Sequence, residues 1–577
     1  MQKRTLCFGA MLSLLFLFTA CSEKPGRAIS KNENVENAVG ETEEEPDVTM
    51  TSPRTDVPPP PPPPPVMEEV PMERFAEQEV EFEDQSLESE PVQPSNKLEE
   101  QNQWNREGYD HIVENDFKVV TDHPLSTFSV DVDRASYANV RRMLTQGYLP
   151  PKGAVRIEEF VNYFDYDYSQ PRGGHPFSIN TEMATCPWNA QHKLLHIGLQ
   201  GKDIEAGETP PSNLVFLIDV SGSMEDYNKL PLLKNAFKLL VNQLDEKDRI
   251  AIAVYAGSSG LVLPATPGNE KEKILNALQS LSAGGSTAGA AGIQLAYQVA
   301  QENFLKEGNN RVILATDGDF NVGVSSESGL VDLIEEKRKQ NIFLSVLGFG
   351  TGNYQDSKME QLADKGNGNY AYIDNLFEAK KVLVNEFSGT LFTIAKDVKI
   401  QIEFNPAHVQ SYRLIGYENR ILNKEDFNDD TKDAGEIGAG HTVTALYEIV
   451  PTGVKNTLAG TVDELKYQTV ATKSNAQESP EWMTIKLRYK APTADVSQLL
   501  AVTVQDSGLK WEKTSENYRF SAAVAAFGMT LRDSKYKGGT NLEMIKSLAN
   551  SAKGKDEEGY RAEFVRLVGM AEVLMGK

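Results

Sequence analysis

The sequence predicts a multidomain α/β protein with a doubly wound parallel sheet at its centre. An N-terminal α+β region precedes that sheet, and a C-terminal β-rich region ending in helices follows it. Three observations predict this. Residues 211–392 alternate apolar runs of strand length with amphipathic stretches of helix length, the pattern of repeated βα units. From about residue 395 the hydrophobic period switches from 3.6 to two, as in half-buried antiparallel strands. At 577 residues the chain is also too long for one core.

Within 211–392 the candidate strands are 214–220, 249–256, 311–316, 342–349 and 369–373. The clearest helix is 228–244, where Leu230, Leu233, Phe237, Leu240, Val241 and Leu244 form one stripe. Further helices are expected near 270–281, 290–305, 328–340, 356–365 and 376–388. Before this domain, 127–144 alternates as a strand through Val132 and then shows helical spacing. Residues 155–168 carry one apolar helical face. Asp131 and Asp133 read as strand-end and cap residues. Beyond the domain, 396–404, 441–450 and 481–490 read as strands of a β-sandwich, and the chain after Trp511 as a helical hairpin. The expected divisions are 1–20, 21–103, 104–210, 211–392 and 393–577.

The first of these has the form of a secretory signal. Lys3 and Arg4 precede an apolar run from Leu6 to Ala20, too short to span a bilayer. The run ends Leu17-Phe18-Thr19-Ala20-Cys21, which resembles a bacterial lipobox, with Phe18 in place of the usual Leu. That resemblance implies cleavage before Cys21 and a lipid anchor on its thiol. It also implies a place in the bacterial envelope, at the outer membrane, facing the periplasm or the surface. Cys186 is then the remaining thiol and reads as a buried small hydrophobe.

Residues 21–103 read as a disordered tether. Between 21 and 100 there are 21 acidic and 6 basic side chains and two aromatics, Phe75 and Phe82, too little apolar surface to offset ordering entropy. Pro58 to Pro65 form an unbroken polyproline rod of roughly 25 Å. The whole chain carries a net charge of −25 and shows no basic stripe, which excludes nucleic acid and an anionic membrane surface as partners.

Three separate loops carry the chemistry. LVFLIDVSGSM (214–224) places Asp219, Ser221 and Ser223 on alternate positions after an apolar run. GGSTAG (284–289) offers Thr287, and RVILATDGDF (311–320) offers Asp317. Two carboxylates and three hydroxyls, with no His or Cys, suit a hard cation such as Mg²⁺ or Mn²⁺. Ligand approach to about 2.0–2.1 Å requires small side chains, and Gly222, Gly284, Gly285 and Gly318 give the loops their freedom. Asp219 and Asp317 fall at strand carboxyl ends, where open α/β sheets bind ligands.

Together these segments resemble the metal-ion-dependent adhesion site of a von Willebrand factor type A domain. In that family the residues matching Ser221, Ser223 and Thr287 bind the ion, directly or alternating with water. Those matching Asp219 and Asp317 act through water or from behind. An open coordination position then accepts a Glu or Asp carboxylate from a partner protein. Two carboxylates against a dication predict a nearly neutral site. The flanks ASYANVRRML, VRIEEFVNYFDYDY and PWN…LLHIGL, with TDGDFNVG inside the domain, resemble the bacterial YfbK-type lipoproteins from about residue 104 onward.

The resulting expectation is a non-enzymatic, lipid-anchored module that captures a partner through Mg²⁺. A scaffold working through its flanking regions, with the metal structural or absent, is the second reading, and a metal-assisted hydrolase the third. Motifs for other chemistry fail. His192 and His196 stand four apart, but Lys193 occupies the position of a zincin glutamate, and neither a G-x-S-x-G elbow nor a phosphate-binding GK[ST] loop occurs. The glutamates of the tether are covalently close to the metal loops and are expected to compete for them.

Overall fold

The computed structural model describes residues 107–204, 209–286, 289–318, 327–352, 354–386, 392–432, 434–460 and 474–576. The leader, Cys21, the tether and Thr287 lie outside these residues. The described residues belong to one compact unit.

Its central sheet contains β1 (Ser212–Asp219), β2 (Arg249–Tyr255), β3 (Ser259–Pro267), β4 (Asn309–Thr316), β5 (Ile342–Phe349) and β6 (Tyr370–Ile373), in the order β6-β5-β4-β1-β2-β3. All neighbours are parallel except β3, which runs antiparallel to β2 at the edge. β1 is central and buried along its whole length, which is why LVFLI reads as a continuous apolar run. Its side chains alternate between two cores. Leu214, Phe216 and Ile218 pack with α1 (Leu230–Gln243) and α2 (Lys271–Gln279). Val215 and Leu217 pack on the other face with α3 (Gly289–Glu302), α4 (Glu327–Lys339) and α5 (Asp356–Lys365). A short α6 (Leu376–Lys380) runs into a π-helical turn, Lys381–Asn385. The sequence left β3 out because Gly260, Pro264 and Pro267 read as loop; on an edge strand a proline has no ladder bond to lose.

The N- and C-terminal regions share two antiparallel sheets. In one, Asn189–Gly201 lies between Phe177–Cys186 and Thr442–Pro451, and Val409–Ile415 follows. In the other, Thr393–Phe404 pairs with Leu125–Ser129, Gly435–Gly438 and Glu481–Lys490, which carries Gln498–Gln505 at the edge. One core joins their inner faces, with Phe128, Leu195, Ile197, Ile402 and Tyr447 all within it. The back of the first sheet, including the buried Cys186, packs against helices Ala135–Thr145, Ile157–Asn162 and Glu516–Leu531. Leu542–Ser551 lies between the two terminal helices that the apolar spacing predicts.

Asp131 and Asp133 do not cap a helix. The cap position is Arg134, without a side-chain bond. Both carboxylates instead share Arg420 with Glu360 and Asp364, at 3.1, 3.2, 3.0 and 2.6 Å respectively. Burial outweighs this single guanidinium, lifting Asp131 to about 7 and Asp133 well above its usual range. Burial likewise raises Glu158 to about 7 and Asp356 to about 8. A carboxyl raised by folding keeps its proton in the native state where the unfolded chain has lost it. Its stabilising contribution is therefore full below an unfolded value near 4 and is lost as pH rises through about 7–8. Urea unfolding of the full-length chain should accordingly give a free energy at least about 1 kcal/mol lower at pH 8 than at pH 5, with a shallower slope for Asp131→Asn. Stability that rises across that window would contradict the assignment.

Candidate metal centre

Three loops meet at the carboxyl ends of β1 and β4. Asp219 closes β1 opposite Tyr255 of β2 and is 0% exposed. Its Oδ1 accepts the Ser221 N–H at 2.9 Å, and its Oδ2 accepts the Tyr255 hydroxyl at 3.0 Å and the Thr316 hydroxyl at 3.3 Å. Thr316 Oγ1 in turn accepts the Gly318 N–H, 3.2 Å away. One buried carboxylate therefore ties together the first loop, the neighbouring strand and the third loop. Burial raises its pKa, against the pull of the hydrogen bonds from Ser221 and Tyr255.

The Ser221 and Ser223 hydroxyls stand 3.0 Å apart, and Ser223 faces solvent. The second loop is pinned beside them by two backbone bonds, Gly284 N–H to Val220 O at 2.8 Å and Gly222 N–H to Gly285 O at 3.0 Å. Gly285 has φ +86°, and a Cβ there would sit 3.2 Å from the Gly257 nitrogen, so the close approach requires glycine. This places Ser286 next to the serine pair; Thr287, the following residue, is outside the described residues. Asp317 leaves β4 with its carboxylate 2% exposed.

Lys229 also belongs to the site, though no motif marks it. This residue opens α1, is 6% exposed, and donates from Nζ to Ser223 O at 2.8 Å and Asp317 Oδ2 at 3.0 Å. Its aliphatic stem passes over Gly350, where a Cβ would come within 2.4 Å. A lysine at a helix start reads in sequence as solvated, and nothing in its spacing announces the contact. Its presence corrects the expectation of a nearly neutral site. Asp226 also stands 3.7 Å from the Lys229 ammonium but is largely exposed and screened, so among the buried groups two carboxylates, one ammonium and a dication would leave one positive charge.

The donor set fits a hard divalent cation. Ser221 and Ser223 bring their hydroxyl oxygens within 3.0 Å of each other, Ser223 at the surface and Ser221 beneath it, Asp317 supplies charge from the third loop, and Asp219, with both oxygens engaged, orients the first loop from behind. Among the described residues no cluster of three or more His, Cys, Asp or Glu is arranged to hold a metal. His192 Nδ1 donates to Glu448 Oε1 at 2.6 Å, and His196 meets the Tyr168 hydroxyl at 2.9 Å; burial lowers His196 to about 3. Both histidines belong to the sandwich.

Three family models match the chain: "von Willebrand factor" over residues 103–196, "von Willebrand factor type A domain" over 213–386, and "Uncharacterized protein YfbK, C-terminal" over 389–574. Among curated proteins, YfbK of Escherichia coli is 47% identical over 474 residues, covering 80% of this chain and 81% of that one. Human inter-alpha-trypsin inhibitor heavy chain H4 is 30% identical over 151 residues, 25% of this chain and 16% of its own. Among solved structures, a von Willebrand factor type A protein from Catenulispora acidiphila aligns at 14% identity and a TM-score of 0.35, over 78% of this chain and 90% of that one.

Removing the Lys229 ammonium from Asp317 takes away a like charge a few ångströms from an arriving dication. At an effective dielectric near 20 that repulsion is a few kcal/mol. Lys229→Met is therefore expected to tighten Mg²⁺ or Mn²⁺ binding at least about tenfold by calorimetry. An unchanged affinity would mean that the ammonium lies clear of the ion.

Proposed function

The chain belongs to the YfbK family, and on that premise we propose that it is a lipid-anchored envelope protein that captures a partner through a Mg²⁺-dependent adhesion site. The type A domain is of a class that commonly mediates protein–protein contact and is usually non-enzymatic. In this reading Ser221, Ser223 and Thr287 hold the ion, with Asp219 and Asp317 supporting them, and a Glu or Asp of the partner completes its shell. The lipid on Cys21 supplies the membrane attachment. Among the described residues no helix is long and apolar enough to cross a membrane.

The observation that carries the reading is the hydroxyl pair, buried Ser221 and exposed Ser223 with oxygens 3.0 Å apart, held beside a fully buried Asp219. A metal in this place supplies an electrophilic point for an anionic ligand. The chain's own residues fix the loops, shape the rim and set the residual charge. That charge, raised by Lys229, favours a carboxylate as the incoming group. The exposed Tyr227, 85% accessible, stands two residues before Lys229 and offers an aromatic contact on the same rim. The acidic tether is the intramolecular competitor for this position.

The second reading, a scaffold working through its flanks, has one observation in its favour. Gln498–Gln505 is an edge strand with Leu499 55% exposed, open to strand addition.

Thermal unfolding of the full-length chain in Mg²⁺ and in EDTA separates the two. Saturation at a hundred times the dissociation constant should add roughly 2.7 kcal/mol, and the gain should vanish in Ser223→Ala, which removes an exposed ligand without opening the buried network. Partner capture that persists in EDTA and in Ser223→Ala would transfer the function to the flanks.

A further inference from the structure

A second cavity, of about 370 Å³, lies away from the metal loops. It is bounded by β4, β5, β6, the π-helical turn and segments of both flanking regions. Most of its wall is apolar, with Ile204, Ile313, Leu347 and Leu383 among the lining residues. Arg311 is out of keeping with that wall. It continues the row Ala315, Ile313 down one face of β4, where a buried parallel strand calls for an apolar residue, and it is 1% exposed. Asp317 is six residues further along the chain, about 20 Å in an extended strand, so cavity and metal loops are separate sites.

The guanidinium of Arg311 is incompletely satisfied. Nη1 donates to Ser345 Oγ at 2.6 Å, while Nε meets no hydrogen-bond partner. Among the described residues no carboxylate forms an ion pair with it. Burial lowers it to about 10, with the charge of Glu436 acting in the opposite direction. A buried cation without a paired anion is costly. Arg134, a second guanidinium of the lining, meets Glu386, although its Nη2 has no hydrogen-bond partner; Lys381, behind the wall, also meets Glu386 and stands 3.9 Å from Asp165. The π-helical turn that lines the cavity is a local irregularity of a kind common at binding sites. Asp203, exposed at the rim, disfavours multiply charged anions.

We propose that this cavity binds a small organic monocarboxylate, its head on Arg311 and its apolar body against Ile204, Ile313, Leu347 and Leu383. A largely apolar chamber with a few convergent polar groups is the usual form of a small-molecule site; of its two guanidiniums Arg134 is engaged by Glu386 and Arg311 has no carboxylate partner among the described residues, and a guanidinium matches a carboxylate's geometry.

Calorimetric titration of the full-length chain with hexanoate and benzoate tests it, with inorganic phosphate as comparator. At least one of the two acids should bind, and Arg311→Met should weaken it at least tenfold. Ala371→Leu, which fills the same cavity and keeps Arg311, should abolish it. The proposal is overturned if neither acid binds the wild type, if phosphate alone binds, or if either acid binds both variants as it binds the wild type.

Discussion

The buried carboxylate of Asp219 is the constraint on which the upper rim of the sheet depends. Three donors from three segments converge on its two oxygens, and none of them can turn to water. Each donor left unpaired at that depth costs about 1–3 kcal/mol. The first loop is thus locked to β2 and, through Thr316, to the third loop before any ion arrives. That preorganisation is what small hydroxyl ligands require, since a serine has too short a reach to compensate for a misplaced backbone. It also means that Asp219 cannot be removed cleanly, and an exposed hydroxyl such as Ser223 reports on the ion without disturbing the frame.

Much of this was legible in the sequence, for a local reason. Parallel strands buried on both faces are continuous apolar runs, so LVFLI and RVILA declared themselves, and the small oxygen-bearing residues following each run marked the sheet's carboxyl edge. Local period also revealed α1 and the long strands after 395. Features that depend on distant partners were not visible. Thr442–Ile449 pairs with Lys193–Gln200, some 250 residues earlier, and no pattern in either segment names the other. The edge strand β3 was obscured by its prolines. Asp131 and Asp133 had the sequence of strand-end caps, yet their partner is Arg420, nearly 300 residues away.

Two buried cations on the same domain show how context decides meaning. Lys229 and Arg311 are both almost wholly removed from water. Lys229 is discharged against Asp317 and a carbonyl, so its burial is offset within the chain. Arg311 has a serine hydroxyl and an unfilled Nε. Neither could be told from a surface residue by composition, since basic side chains at strand and helix ends are ordinarily solvated. Only the three-dimensional partner list separates a cation that belongs to the fold from one that faces a cavity.

The position of Lys229 carries a further consequence for the metal loops. It stands at the amino end of α1, the positive end of the helix dipole, where a cation is disfavoured. Its retention there rests on Asp317. A dication entering the same loops adds to the helix end and the ammonium, all positive, against two carboxylates, one of which is already committed to protein donors. On the proposed function the ion would therefore be held less tightly than two bare carboxylates would hold it, and the deficit is of the sign that an external carboxylate removes. On the proposed function, metal and acidic ligand would bind cooperatively, each supplying what the other lacks, with the loops favouring the pair over the metal alone.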